Sequence, residues 1–154
     1  MWLRLRRNST ELRFSPGATI GFPTELQFGA ATASHQVEGG DVHSDWWRFE
    51  REPGRVQCFG EFPNIVQDRK SDHWDQFPGD IQRLRELGLS TYRFSVDWSR
   101  VEPEEGRFDR EALARYADMC RMMRENGIRP LVTLFHWSSP DWIWDAERSD
   151  KSGW

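Results

Sequence analysis

The chain has 154 residues, 37% of them hydrophobic and 30% charged, with a formal charge of −4. That length gives one domain room to bury a core, and the acidic balance lacks the basic footprint of a nucleic-acid binder. No apolar run approaches the roughly 20 residues that span a bilayer, and two cysteines, Cys58 and Cys120, make no disulfide framework.

Residues 1–21 show no periodicity and include Pro16-Gly17, so they read as an irregular extension. The first few mix Arg4, Arg6 and Arg7 with Trp2, Leu3 and Leu5, without the apolar stretch of a secretory signal, and Glu11 speaks against a transit peptide. A reducing cytoplasm is the expected compartment. Residues 27–33 suit a short strand with small side chains, and a long loop is expected from 34 to about 70. Residues 80–87 read as a helix with Ile81, Leu84 and Leu87 on one side and Gly88 just past its end.

Residues 89–96 then alternate, with Tyr92, Phe94 and Val96 on one face and Arg93 and Ser95 on the other, which is the pattern of a strand. Asp109 is a good N-cap for the next helix, with Glu111 at the positive end of its dipole. Leu113, Tyr116, Ala117, Cys120 and Met123 form the expected apolar stripe, which places the Cys120 thiol in a buried setting, and Gly127 ends the helix. Residues 129–137 give a third strand. The order strand, helix, strand, helix, strand implies parallel pairing. On pattern alone an open doubly wound sheet and a (β/α)8 barrel stay tied, although no GxGxxG supports a dinucleotide site.

Four segments break the tie. Phe28-Gly29-Ala30-Ala31-Thr32-Ala33-Ser34-His35-Gln36-Val37-Glu38-Gly39 resembles the N-terminal signature of family 1 glycoside hydrolases. Asp45-Trp46-Trp47 through Pro53-Gly54-Arg55 resembles that family's first long loop. Tyr92-Arg93-Phe94-Ser95-Val96-Asp97-Trp98-Ser99-Arg100-Val101-Glu102-Pro103 is similar to its second strand and the loop after it, and Arg129-Pro130-Leu131-Val132-Thr133-Leu134-Phe135-His136-Trp137 to its third strand. The resemblance runs from about Phe22 to Trp154. It implies an α/β fold over residues 22–154, a partial TIM barrel holding the first three β-strands and their helices and stopping before strand four. Phe28 stands where the family usually has Trp, and Phe77-Pro78-Gly79 falls where relatives continue a helix, so that helix should start or break at Pro78.

The activity implied is a retaining β-glucosidase-type hydrolysis of O-glycosyl bonds, with a small-molecule sugar as partner and no cofactor. The nine tryptophans suit that partner, since an indole offers a flat apolar face and an N–H donor, although core packing also uses them. By resemblance Gln36, His136 and Trp137 bind the sugar. A Gln amide can contact neighbouring hydroxyls with donor and acceptor together, and residues ending barrel strands face the active site. Arg93 is the residue that, by resemblance, lies beside the catalytic nucleophile and favours its ionised form. Trp98 and Arg100 read as structural.

The family's acid/base and nucleophile glutamates follow strands four and seven, and both are expected beyond Trp154. No catalytic residue is therefore expected among these 154, and the chain alone should be inactive. Glu125-Asn126-Gly127 imitates the nucleophile motif but closes a helix at the wrong end of the barrel. Glu102, Glu104 and Glu105 read as a solvated loop, and Glu38 has no catalytic counterpart. His35, Asp41, His43 and Asp45 are ligand types without a zinc spacing, so no metal is expected. A non-hydrolytic carbohydrate-binding protein on the same scaffold is the alternative. A free-standing carbohydrate-binding module fits poorly, because such modules are usually β-sandwiches.

Overall fold

The computed structural model describes residue 23, residues 25–51 and residues 70–144. The expected extension over 1–21, the middle of the long loop and Cys58 lie outside those residues. So does Trp154, the expected end of the barrel segment, so the boundary before a fourth strand falls outside the described part. In chain order the elements are strand β1 (Gly29–Ala31), helices α1 (Ser34–Val37), α2 (Asp45–Arg51) and α3 (His73–Glu86), strand β2 (Thr91–Ser95), helices α4 (Trp98–Val101) and α5 (Arg110–Glu125), and strand β3 (Arg129–Thr133). A 3-10 turn, Asp141–Trp144, ends the described part. The expected loop therefore carries two short helices.

The three strands are parallel in the order β1-β2-β3. Their register sets Ala31 opposite Arg93 and Arg93 opposite Leu131, so these three form one row across the sheet. Gly29 is required at the start of that sheet, because a Cβ there would lie 2.4 Å from the Thr91 carbonyl oxygen. No side chain fits between the two backbones.

The alternation of β2 decides which face is filled. Tyr92 and Phe94 are 3% and 2% exposed and pack with Phe77, Ile81 and Leu84 of α3 and Tyr116, Met119 and Met123 of α5. Each such side chain contributes about 1.5–3 kcal/mol of burial. Arg93, between them, is exposed on the opposite face. That face has no helix layer among the described residues.

Three expectations need correction. Helix α3 runs through Pro78 instead of starting or breaking there. Proline frees the carbonyl four residues earlier, that of Trp74, and Arg115 of α5 captures it through Nε at 3.1 Å and its terminal nitrogen at 2.5 Å. Leu87 does not join Ile81 and Leu84, being 72% exposed at the helix end. The buried stripe of α5 is Ala112, Tyr116, Met119 and Met123, while Leu113 is 44% exposed and Ala117 is exposed. The i, i+4, i+7, i+11 spacing follows where β2 and α3 press, about one residue round from the expected line. Cys120 flanks it, half-buried, and burial raises its thiol pKa.

The punctuation is as expected. Asp109 Oδ1 accepts from the Glu111 and Ala112 amides at 2.8 and 3.0 Å. Gly88 and Gly127 take left-handed φ values of 71° and 74° just past their helices. Strand β3, by contrast, stops at Thr133, short of the expected 137, which leaves His136 and Trp137 in the turn beyond it instead of on the strand. None of the described helices is long and apolar enough to cross a membrane.

Candidate functional site

Parallel strands send all their C-terminal ends to one edge of the sheet, and the chain uses that edge differently from the other. After β1 the backbone turns at once into α1, anchored where the Ser34 amide donates to Ser95 Oγ of β2 at 2.7 Å. Gln36 lies on this turn and is exposed. After β3 the chain passes through His136, half-buried with an Nδ1 that is shielded from solvent and has no hydrogen-bond partner among the described residues. Trp137 follows, 75% exposed and at φ 63°. A bulky residue in that left-handed region is strained by about 1–3 kcal/mol. Arg93 stands on the open face of β2 between these two arms, with no carboxylate partner among the described residues.

The two arms are laced together. Asp45 and Ser139 exchange contacts in both directions: the Asp45 amide donates to the Ser139 carbonyl, and the Ser139 amide to Asp45 Oδ1, each at 2.9 Å. The Asp141 amide donates to the His43 carbonyl at 2.8 Å, and the Trp46 indole N–H to the Trp137 carbonyl at 2.5 Å. Trp142 ties in the third loop by donating to the Glu102 carbonyl at 2.9 Å.

Beneath this edge lies a polar cluster that sequence reasoning did not find. Glu38, 2% exposed, accepts from Tyr116 OH at 2.9 and 3.1 Å, and that oxygen accepts from the Asp97 amide at 3.0 Å. Arg100 Nε lies 3.4 Å from Glu38 Oε2, close enough for charge attraction but misaligned for a hydrogen bond. Its guanidinium rests 4.0 Å over the Trp74 ring. Burial raises the Glu38 carboxyl to about 8 despite the nearby Arg100. Burial also raises Asp97 and Tyr116. Arg100 also donates to the Gly39 carbonyl, and Trp98 to Glu102 Oε2.

Other expected residues are placed as follows. Glu102 is not solvated: it is buried, accepting from Trp98 Nε1 at 2.7 Å and the Gly106 amide at 2.8 Å, which fixes the loop from inside. Glu104 is exposed and pairs with Arg107. Glu125 is exposed at the N-terminal end of β3, paired with Arg121 at 3.0 Å, so the Glu125-Asn126-Gly127 turn is a helix cap.

The four candidate metal ligands do not converge. His35 Nδ1 and Nε2 lie 2.5 Å from Asp41 and 3.0 Å from Glu50, with Lys70 Nζ 3.2 Å from Asp41. Burial works to raise Asp41, but the hydrogen bond from His35 and the Lys70 charge outweigh it and hold the carboxyl at about 2. His43 is exposed, and Asp45 is committed to backbone amides.

Gln36, His136 and Trp137 thus follow the C-terminal ends of β1 and β3, and Arg93 lies exposed on β2 between those strands. A groove of about 490 Å³ between α3 and α5, and another of about 230 Å³ beside Asp41, Ser99 and Arg100, include none of them.

Residues 18–150 match the sequence profile of Glycosyl hydrolase family 1. The chain is 35% identical over 141 residues to Beta-glucosidase A of Acetivibrio thermocellus, covering 88% of this chain and 29% of that protein. The solved structure of the AHE enzyme from Alicyclobacillus herbarius aligns with TM-score 0.73 and 38% identity, over 82% of this chain and 28% of that one. The β-glycosidase from Pyrococcus horikoshii aligns with TM-score 0.67 and 40% identity, over 79% and 27%. The chain spans less than a third of the length of these relatives.

Proposed function

The chain belongs to glycosyl hydrolase family 1, and on that footing we propose that it forms one wall of the sugar pocket of a retaining β-glucosidase-type hydrolase. Its parallel strands are the first three of the family's (β/α)8 barrel. In this reading residues 22–154 belong to the barrel domain and the protein works in the cytoplasm on a β-glucoside or related oligosaccharide. Gln36, His136 and Trp137 hold hydroxyls and one face of the sugar. Arg93 stabilises the ionised nucleophile glutamate that strand seven carries in the family. In this reading the acid/base and that nucleophile are carried by strands four and seven of the barrel, whereas the described residues hold the first three.

The observation that supports this most is the register. It puts Arg93 in a row with Ala31 and Leu131 on the open face, while Gln36 and His136-Trp137 follow the ends of the flanking strands. Neighbouring parallel strands lie about 4.8 Å apart, so a single sugar ring can be reached from all three. Retaining chemistry needs two carboxyls about 5–5.5 Å apart. The described residues offer no such exposed pair here, because Glu38 and Glu102 are buried and committed.

Two measurements test the proposal. Calorimetric titration with D-glucose should show weak binding that drops about five- to tenfold in Gln36→Ala and in His136→Ala, the effect of losing one or two hydrogen bonds. The 154-residue chain should release no nitrophenol from 4-nitrophenyl β-D-glucoside. Release that copurifies with the chain and survives Glu38→Gln and Glu125→Gln overturns the assignment of the chemistry to other residues.

A further inference from the structure

Trp137 is one of three non-glycine residues at positive φ among those described, with Lys70 and Asp72, and it is the bulkiest. Asp tolerates that region through its short polar side chain, whereas a Trp remains there only when its surroundings insist. Burial does not insist, since the ring is three-quarters exposed. The constraint therefore comes through the backbone. The carbonyl of Trp137 itself accepts from the Trp46 indole N–H at 2.5 Å, and the next residues are pinned through Ser139 to Asp45 and Asp141 to His43.

Trp46 is equally unexplained by core packing. It is 41% exposed, and its ring packs 5.7 Å from His35 and edge-on to Phe49 at 5.7 Å. His35 is held between Asp41 and Glu50, and it is the immediate neighbour of Gln36. One indole thus packs its ring beside the neighbour of Gln36 and donates its N–H to the backbone of Trp137.

From this we infer that Trp46 is a positioning residue: a brace that sets the spacing of the β1 and β3 arms and holds the Trp137 turn in its left-handed form, with the Trp137 ring aimed outward. Without the brace the turn relaxes towards negative φ, and the ring swings towards Phe135, whose centroid is already 6.3 Å away. The consequence for sugar binding rests on the pocket proposed above, whereas the brace itself does not.

The test separates the two. In the ¹⁵N-labelled 154-residue chain, with indoles assigned by single Trp→Phe changes, the Trp46 N–H should exchange with solvent at least about tenfold more slowly than the more exposed indole of Trp137. Trp46→Phe keeps a ring against His35 and removes the donor. It should move the Trp137 carbonyl carbon and Ser138 amide resonances and leave the Met119 and Met123 methyls in place. It should also raise the D-glucose dissociation constant about tenfold. Equal exchange of the two indoles, or an unmoved Trp137 carbonyl beside an intact core, overturns the brace. Should Trp46→Phe not fold, the exchange rates of the unsubstituted chain decide alone. A chain that binds no glucose yet shows the slow indole and the carbonyl shift keeps the brace and loses the sugar pocket.

Discussion

The two ends of the strands are built from different materials. At the N-terminal ends the connections are simple turns: Gly88 and Gly127 take positive φ freely, and the charges nearby, such as Glu125 with Arg121, are solvated. At or beyond the C-terminal ends lie Ser34, Glu38, Asp41, Ser44, Ser95, Asp97, Ser99, Glu102, Ser138 and Ser139, which are all the buried polar side chains of the described residues except His73. Buried polar groups cost free energy unless each finds a partner. One end of the fold therefore holds the chain together, and the other gives up stability to place side chains where the strand ends meet.

The largest way to sharpen that contrast is to titrate the polar end. Glu38 is held protonated in the fold to about pH 8 but ionises near 4.5 in an unfolded chain. The unfolded state thus binds fewer protons between those values, so stability is fullest below about 4.5 and falls as pH rises towards 8. Urea melts across this window should lose up to about 1.4 kcal/mol per pH unit. Glu38→Gln should reduce the slope, leaving the contribution of Asp97, which burial pushes the same way. A slope unchanged in Glu38→Gln would show that the carboxyl ionises freely in place.

A middle-sized effect is expected at the other end. Gly127→Ala meets no atom within 4 Å, so its cost should be conformational alone, about 1–2 kcal/mol in the same melts. A neutral result would mean that the turn can flatten, and the two ends would then differ less than their residues suggest. The smallest effect belongs to Glu125→Gln, which should change stability by less than about 0.5 kcal/mol, since it removes only an exposed i, i+4 pair. A larger loss would show that the imitation motif matters to the fold.

What is legible in the sequence follows the range of its rules. Asp109, Gly88 and Gly127 act within one helical turn of themselves, and local rules find them. The parallel order and the two faces of β2 follow from alternation and the family resemblance. The run of α3 through Pro78 is hidden, because the group that satisfies the freed carbonyl comes from Arg115 on another helix. Glu102 reads as one more loop charge until Trp98 and the Gly106 amide close on it. Of the candidate site, Gln36, Arg93, His136 and Trp137 are visible through the resemblance. Trp46 sits inside the Asp45-Trp46-Trp47 motif, yet nothing local announces that its N–H reaches a residue 91 positions away.

The bond between Arg115 and the Trp74 carbonyl also has a bearing on descent. Proline at 78 withholds the backbone donor from the Trp74 carbonyl and Arg115 supplies one from α5, while also lying 3.7 Å from Asp75 and 5.2 Å over the Trp74 ring. A lineage that loses Pro78 regains the amide and relaxes one of the constraints on position 115. A lineage that loses Arg115 first passes through a chain with a helical carbonyl left wanting. The order of the two substitutions is therefore not interchangeable, and the positions should be inherited as a pair.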